Sequence, residues 1–324
     1  MMLSAALVVA SHAEVWQELL AAASSERLQK IARERGKGYR SAAPFPHVVI
    51  DDLFPASVVE AVAAEHAEEN APCHSHSTQC FQHDLHSPGK SAVDKEEALG
   101  PATRLVFAVL KSSTFLTFLE RLTGISALIP DPHFRGSGLH LTANHGRLDI
   151  HSDFNRYVRF KLDRRVNVFL FLNRDWHETY GGHLELWARN MSSCAHRIAP
   201  IMGRFVAFSS TDFSFHGHPE PMELPPGRMR RSLALYYYTN GRPRDECLEG
   251  RCQSMHSTLW QVPSACASCM ACRAPQAAAA VLSAPPSSEQ PHSHHRRQKA
   301  EISIENRVDT GTARRSRSSR ESTR

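Results

Sequence analysis

The sequence predicts an all-β core with flanking helices, α+β overall. Three observations carry that expectation. Residues 230–239 alternate strictly, placing Arg230, Ser232, Ala234 and Tyr236 on one face and Arg231, Leu233, Leu235 and Tyr237 on the other, as a strand with period two requires. Shorter apolar or extended runs at 148–150 and 204–208 are bounded by turn-prone residues such as Ser209-Ser210-Thr211-Asp212. Three segments, 14–35, 56–69 and 103–122, instead show apolar residues at helical spacing, for example Leu105, Val106, Val109, Leu110, Phe115, Phe118 and Leu119. These helices are expected to brace the outside of the β-core.

Composition sets the scale. The chain has 324 residues, 41% of them hydrophobic, which suffices for one catalytic domain with appendages. Its formal net charge of +5 is unevenly placed: nine Lys/Arg against five Asp/Glu put four of those charges after Pro275. The body is therefore near neutral, and the charge balance makes no case for a nucleic-acid partner. No stretch is long enough to span a membrane. The opening run Met1–Ala10 is apolar but short and lacks a basic start, so a cytoplasmic location is expected ahead of secretion.

The chemistry concentrates in His151-Ser152-Asp153, in His216, and in Arg230-Arg231-Ser232 fourteen residues after His216. On a strand, His151 and Asp153 point to one face and Ser152 to the other. Two imidazoles and a carboxylate are the ligands of a non-haem Fe(II) facial triad, which leaves positions open for a co-substrate and oxygen. The third ligand must come from a distant strand, and His216 follows the 204–208 run. His151 alone would read as a core histidine satisfied by hydrogen bonds; the combination with His216 and Arg230 makes the metal reading the better one. Arg230 and Ser232 share a strand face and suit the far carboxylate of 2-oxoglutarate, since a guanidinium can grip a carboxylate with two hydrogen bonds. His218 could share the face of His216, and Arg228 and Arg231 compete with Arg230. Strand parity selects Arg230, because Arg231 points the other way and Arg228 falls in the Pro225-Pro226-Gly227 turn.

These segments resemble the prolyl 4-hydroxylase-like group of Fe(II)/2-oxoglutarate dioxygenases. The matching text runs through Gly138–Leu141, His151–Asn155, Arg165–Asn173, Trp176, Gly181–Trp187, Phe215–Pro221 and Pro226–Tyr238, with Pro44–Phe54 resembling the usual start of such domains. The resemblance covers roughly residues 40–245 and implies a double-stranded β-helix, or jelly roll. It implies Fe(2+), 2-oxoglutarate and often L-ascorbate, with His151, Asp153 and His216 as iron ligands and catalytic residues and Arg230 at 2-oxoglutarate. It is His-Gly, at His216, where the family motif places the second histidine. Related halogenating enzymes lack the carboxylate; Asp153 is present, so hydroxylation is expected, with a prolyl residue of a protein or peptide as the favoured substrate. A small-molecule substrate, a metal-dependent cupin-like enzyme that does not use 2-oxoglutarate, and a jelly-roll scaffold with a degenerate metal site are the alternatives. The oligomeric state is not readable.

The expected organisation is an N-terminal helical extension at 1–40, the dioxygenase domain at 41–246, a Cys-rich segment at 247–275 and a disordered basic tail at 276–324. Supporting residues have plain expectations. Gly181-Gly182 suits a tight lead into a strand. His183, Glu185 and Trp187 share a strand face that is either solvated or supports the site. Asn155 and Asn167 suit hydrogen bonds near the metal or turn roles. His140 either touches 2-oxoglutarate or is structural, and Tyr236 is expected to pack under the site. Residues 71–95, rich in His, Ser and Cys, read as a loop near the mouth of the site ahead of a zinc site. Cys266, Cys269 and Cys272 either bind zinc with Cys247 or Cys252 or form disulfides. The Arg/Ser run at 314–320 reads as a solvated tail.

Overall fold

The computed structural model describes residues 12–66, 78–81 and 84–262. Contacts divide the chain after Ala274; the second unit, with the basic tail, lies outside the described residues, as do Cys266, Cys269 and Cys272. Five α-helices are described: α1 His12–Ala22, α2 Ser25–Ser41, α3 Ala56–Glu65, α4 Pro101–Leu110 and α5 Ser113–Thr123. The strands run from β1 His47–Ile50, β2 Thr78–Phe81, β3 Lys90–Val93, β4 Ile129–Pro130 and β5 Gly138–Thr142 to β6 Leu148–Ser152 and β7 Arg156–Tyr157. They continue with β8 Leu162–Phe171, β9 Leu184–Trp187, β10 Cys194–Ile198, β11 Phe205–Ser209, β12 His216–His218, β13 Arg230–Thr239 and β14 Leu259–Trp260.

Two antiparallel sheets result. The major sheet runs β1-β11-β8-β13-β5-β3-β2, with β4 pairing β13 and β7 pairing β8; the minor sheet runs β10-β9-β12-β6-β14. This is the double-stranded β-helix expected from the resemblance. One face of the major sheet is covered by helices. Leu233, Leu235 and Tyr237 of β13 join a cluster with Leu28 and Tyr39 of α2 and Phe115, Phe118 and Leu119 of α5. The other face meets the minor sheet across Phe171, Val206 and Phe208 on one side and Leu184 and Leu186 on the other. The alternation of β13 thus sorts its side chains between the helix-covered core and the space between the sheets.

Three sequence expectations change here. The segment 14–35 is two helices, separated by Ala23 and Ser24, and 103–122 is likewise two, α4 and α5, bent by 54°. Ser112 ends the second pairing by capping α5, its hydroxyl accepting from the Phe115 amide, so a local cap overrides a continuous apolar stripe. Part of the expected 71–95 loop is the hairpin β2–β3, which pairs with β5 at Val93↔Leu139 through Lys90↔Thr142. Among the described residues, no single helix is long and apolar enough to cross a membrane.

Candidate active site

The iron-triad residues come together between the sheets. β6 and β12 are neighbours in the minor sheet, and their register sets His216 opposite His151. The two rings lie 4.5 Å apart between centroids. Asp153, one residue past β6, places Oδ1 3.6 Å from Nε2 of His151 and Oδ2 3.6 Å from Nε2 of His216. One donor atom from each residue falls within 4.8 Å of the others. Gly217 allows the close strand approach: a Cβ there would sit 2.7 Å from the Leu148 carbonyl oxygen.

Hydrogen bonds fix the donors. His151 Nδ1 lies 2.8 Å from the Asp149 carbonyl and His216 Nδ1 lies 2.9 Å from the Ser214 carbonyl. With Nδ1–H donating, each ring turns an unprotonated Nε2 toward Asp153, the tautomer a metal needs. Burial, reinforced by nearby His151, holds His216 down to about 4, so its imidazole is neutral and ready to ligate. Asp153 is gripped from behind: Arg164 Nη2 lies 3.1 Å from Oδ2, and Asn167 Nδ2 donates to the same oxygen at 2.7 Å. Burial raises the Asp153 carboxyl, but Arg164 and then the two histidines outweigh it and hold the group well below its usual range. Arg164 is itself buried, donates from Nε to Asn167 Oδ1 at 2.8 Å, and stacks 3.4 Å over the Tyr236 ring.

Arg230 and Ser232 line the same cavity as the triad, together with Lys90, His140, Thr142 and His218. Arg230 thus faces the triad cavity, as strand parity expects, whereas Arg228 and Arg231 line a separate surface depression. Nε of Arg230 donates to the Gly182 carbonyl at 2.7 Å. Burial lowers the Arg230 guanidinium to about 10, which leaves it charged at neutral pH. Burial likewise takes Lys90 down to about 8 against the opposing pull of Asp153.

The supporting residues take the following places. His218 ends β12 and is buried in the cavity, on the same side as His216. The face of His183, Glu185 and Trp187 is buried, not solvated: Trp187 Nε1 donates to Glu185 Oε2 at 2.9 Å and His183 Nε2 sits 2.8 Å from Glu178 Oε2. Asn155 lies away from the triad and binds the C-terminal segment through the Ser254 carbonyl and the His256 amide. His140 lines the cavity with Nε2 3.0 Å from the Gly136 carbonyl, and the Tyr236 hydroxyl donates to that carbonyl at 2.7 Å. Cys247 and Cys252 pair with each other in a disulfide, which removes both as zinc ligands. The segment that follows adds β14 to the edge of β6, with Trp260 opposite His151. The Trp260 ring stacks on His86 at 4.3 Å and tilts against His151 at 5.0 Å.

Lys90, Arg164, Thr142 and Trp260 are the site residues the sequence did not single out. Alternation along β8 would have placed Arg164 opposite Asn167. Val166 and Arg164 instead face the consecutive residues Tyr237 and Tyr238 of β13. The bulge at Arg165 returns Arg164 to the cavity face.

Residues 138–246 match the family model of the 2OG-Fe(II) oxygenase superfamily. That segment, about a third of the chain, is what resembles the superfamily. The matched span contains all three triad residues, Arg230 and Ser232, so Fe(II) and 2-oxoglutarate are the cofactors that go with this site. Among solved structures, a Pseudomonas putida prolyl-4-hydroxylase is similar at 19% identity, covering 66% of this chain and 100% of that one, with a TM-score of 0.44. A Trichoplax adhaerens prolyl hydroxylase, in complex with a hypoxia inducible factor oxygen degradation domain peptide fragment, is similar at 17% identity over 66% and 93% of the two chains, with a TM-score of 0.47. HygX from Streptomyces hygroscopicus, with nickel and 2-oxoglutarate bound, is similar at 13% identity over 65% and 90%, with a TM-score of 0.42. At such distances these neighbours fix neither substrate nor activity. No curated protein matches the chain.

Proposed function

We propose that this protein is an Fe(II)- and 2-oxoglutarate-dependent dioxygenase that hydroxylates a prolyl residue of a protein or peptide, releasing succinate and CO2. The observation that carries the reading is the convergence of His151, Asp153 and His216 in one cavity with Arg230 and Ser232. His151, Asp153 and His216 would hold the iron on one side. The guanidinium of Arg230, with the Ser232 hydroxyl beside it on β13, would take the distal carboxylate of the co-substrate. When bound, iron and 2-oxoglutarate supply the oxidising chemistry; the protein supplies position and a shielded pocket.

The chain's own residues support that role in three ways. The carbonyls of Asp149 and Ser214 hold both imidazoles with Nε2 free. Arg164 and Asn167 occupy Asp153 Oδ2 and restrain the carboxylate from swinging. Phe169, Phe171 and Leu184 give the cavity apolar walls that limit water. A scaffold with a degenerate site would have no use for this arrangement. The prolyl substrate rests on the family resemblance. Ascorbate would serve as a reductant that restores Fe(II).

The test is succinate formation from 2-oxoglutarate with Fe(II), ascorbate and oxygen, first without substrate and then with proline-containing peptides. Wild-type turnover that is abolished in His151→Ala and weakened in Arg230→Ala is expected. Iron retention with no 2-oxoglutarate consumption under any condition would overturn the assignment.

A further inference from the structure

The cavity holds more positive charge than Arg230 alone provides. Lys90, Thr142 and Arg230 lie in one row across three neighbouring strands: Lys90 pairs with Thr142, and Thr142 pairs with Arg230. Residues in one row of an antiparallel sheet point to the same face, and all three line the cavity. His218 faces them from the minor sheet.

None of these groups is saturated. Lys90 makes no side-chain hydrogen bond or ion pair with any described residue, and Arg230 makes a single one, from Nε to the Gly182 carbonyl. Nδ1 of His218 is buried without a partner, in a residue only 4% exposed. The nearest carboxylate in the cavity, Asp153, is already paired with Arg164. A lysine, an arginine, a hydroxyl and an unsatisfied imidazole around one apolar-walled space form a carboxylate receptor. An isolated buried cation is costly unless an anion joins it.

We propose that Lys90 is a second cationic contact for the distal carboxylate of 2-oxoglutarate, acting with Arg230, Thr142 and His218, and that it sets selectivity for dicarboxylate over monocarboxylate keto acids. The proposal rests on the function proposed above and extends it to a residue on β3, outside the 138–246 span that matches the family model. No bond is made or broken at Lys90. It binds and orients.

The experiment is titration calorimetry on the full chain loaded with Mn(II), which binds without turnover. Wild type, Lys90→Met, Lys90→Arg and Arg230→Ala are each titrated with 2-oxoglutarate and with 2-oxovalerate, in which a methyl group replaces the distal carboxylate. Loss of one charge-assisted hydrogen bond predicts 2-oxoglutarate binding about 10- to 100-fold weaker in Lys90→Met. Binding of 2-oxovalerate should not change, and Lys90→Arg should recover most of the affinity. Lys90→Met that binds 2-oxoglutarate like wild type, while Arg230→Ala does not, overturns the Lys90 proposal and leaves the dioxygenase reading standing. Equal weakening toward both acids also overturns it, since a merely structural role would give that result. Failure of wild type to bind 2-oxoglutarate overturns both.

Discussion

Arg164→Met probes how the triad carboxylate is held. The residue is 1% exposed and its Nη2 lies 3.1 Å from Asp153 Oδ2. At an effective dielectric constant of about 20, two unit charges at that separation attract by roughly 5 kcal/mol. Both charges also give up hydration, so the pair itself contributes less. Removing one partner, however, strands the other, and that typically costs about 3–5 kcal/mol. Methionine preserves much of the volume between Phe154 and Tyr236, whose rings lie 4.7 and 3.4 Å from the guanidinium, so the loss is mainly electrostatic. Asn167 would remain as the other grip on the carboxylate, but it too loses its Nε partner on Arg164. Urea denaturation of the metal-free protein should show a stability loss of about 3 kcal/mol or more, and Mn(II) affinity should fall about 10- to 100-fold, as for other residues that support metal ligands. Arg165→Met is the control. Arg165 is also buried but binds Glu246 and Thr239, so metal affinity should hold. Unchanged stability and metal affinity in Arg164→Met would refute the claim that Arg164 positions Asp153.

Three further outcomes are expected. Gly182→Ala should weaken 2-oxoglutarate binding and cost about 1–3 kcal/mol of stability, because the residue has φ +66° and a Cβ would fall 2.5 Å from Met222 Sδ and 3.1 Å from Arg230 Cδ; calorimetry and denaturation read the two effects. Phe115→Ala, at a fully buried position in the helix-covered core, should destabilise by about 3–5 kcal/mol in urea titrations without altering which co-substrate binds. Burial pulls the His256 imidazole down, but its hydrogen bond to Asp212 outweighs this and leaves the group raised. A raised histidine stabilises the fold below its unfolded pKa, near 6.5, and the contribution is lost as pH rises through the folded value. Hydrogen exchange in 247–262 should therefore speed up as pH rises beyond its intrinsic trend, and His256→Gln should abolish that excess.

Much of the site is legible in the sequence because strand periodicity is rigid. Once 230–239 is read as a strand, Arg230 and Ser232 must share a face and Arg231 must leave it, and β13 obeys. His151 and Asp153 are two apart for the same reason. Local pattern also places the helices, although the breaks at Ser24 and Ser112 escape it; at Ser112 the break comes from a cap, which is a matter of one side chain's hydrogen bond rather than of hydrophobic period.

What only the tertiary structure decides is which distant residues meet that face. Lys90 enters because β3 pairs with β5 in a register that aligns it with Thr142 and Arg230; nothing in the composition of 71–95 specifies that alignment. Arg164 enters through a bulge that reverses strand parity at Arg165. Trp260 enters because a segment tied down by Cys247–Cys252, by Asn155 and by Asp212 returns to the edge of β6. Chain alternation is local, with a period of two residues. Register, bulges and edge pairing join residues far apart in the chain, and the free energy of packing selects them only when the whole sheet forms.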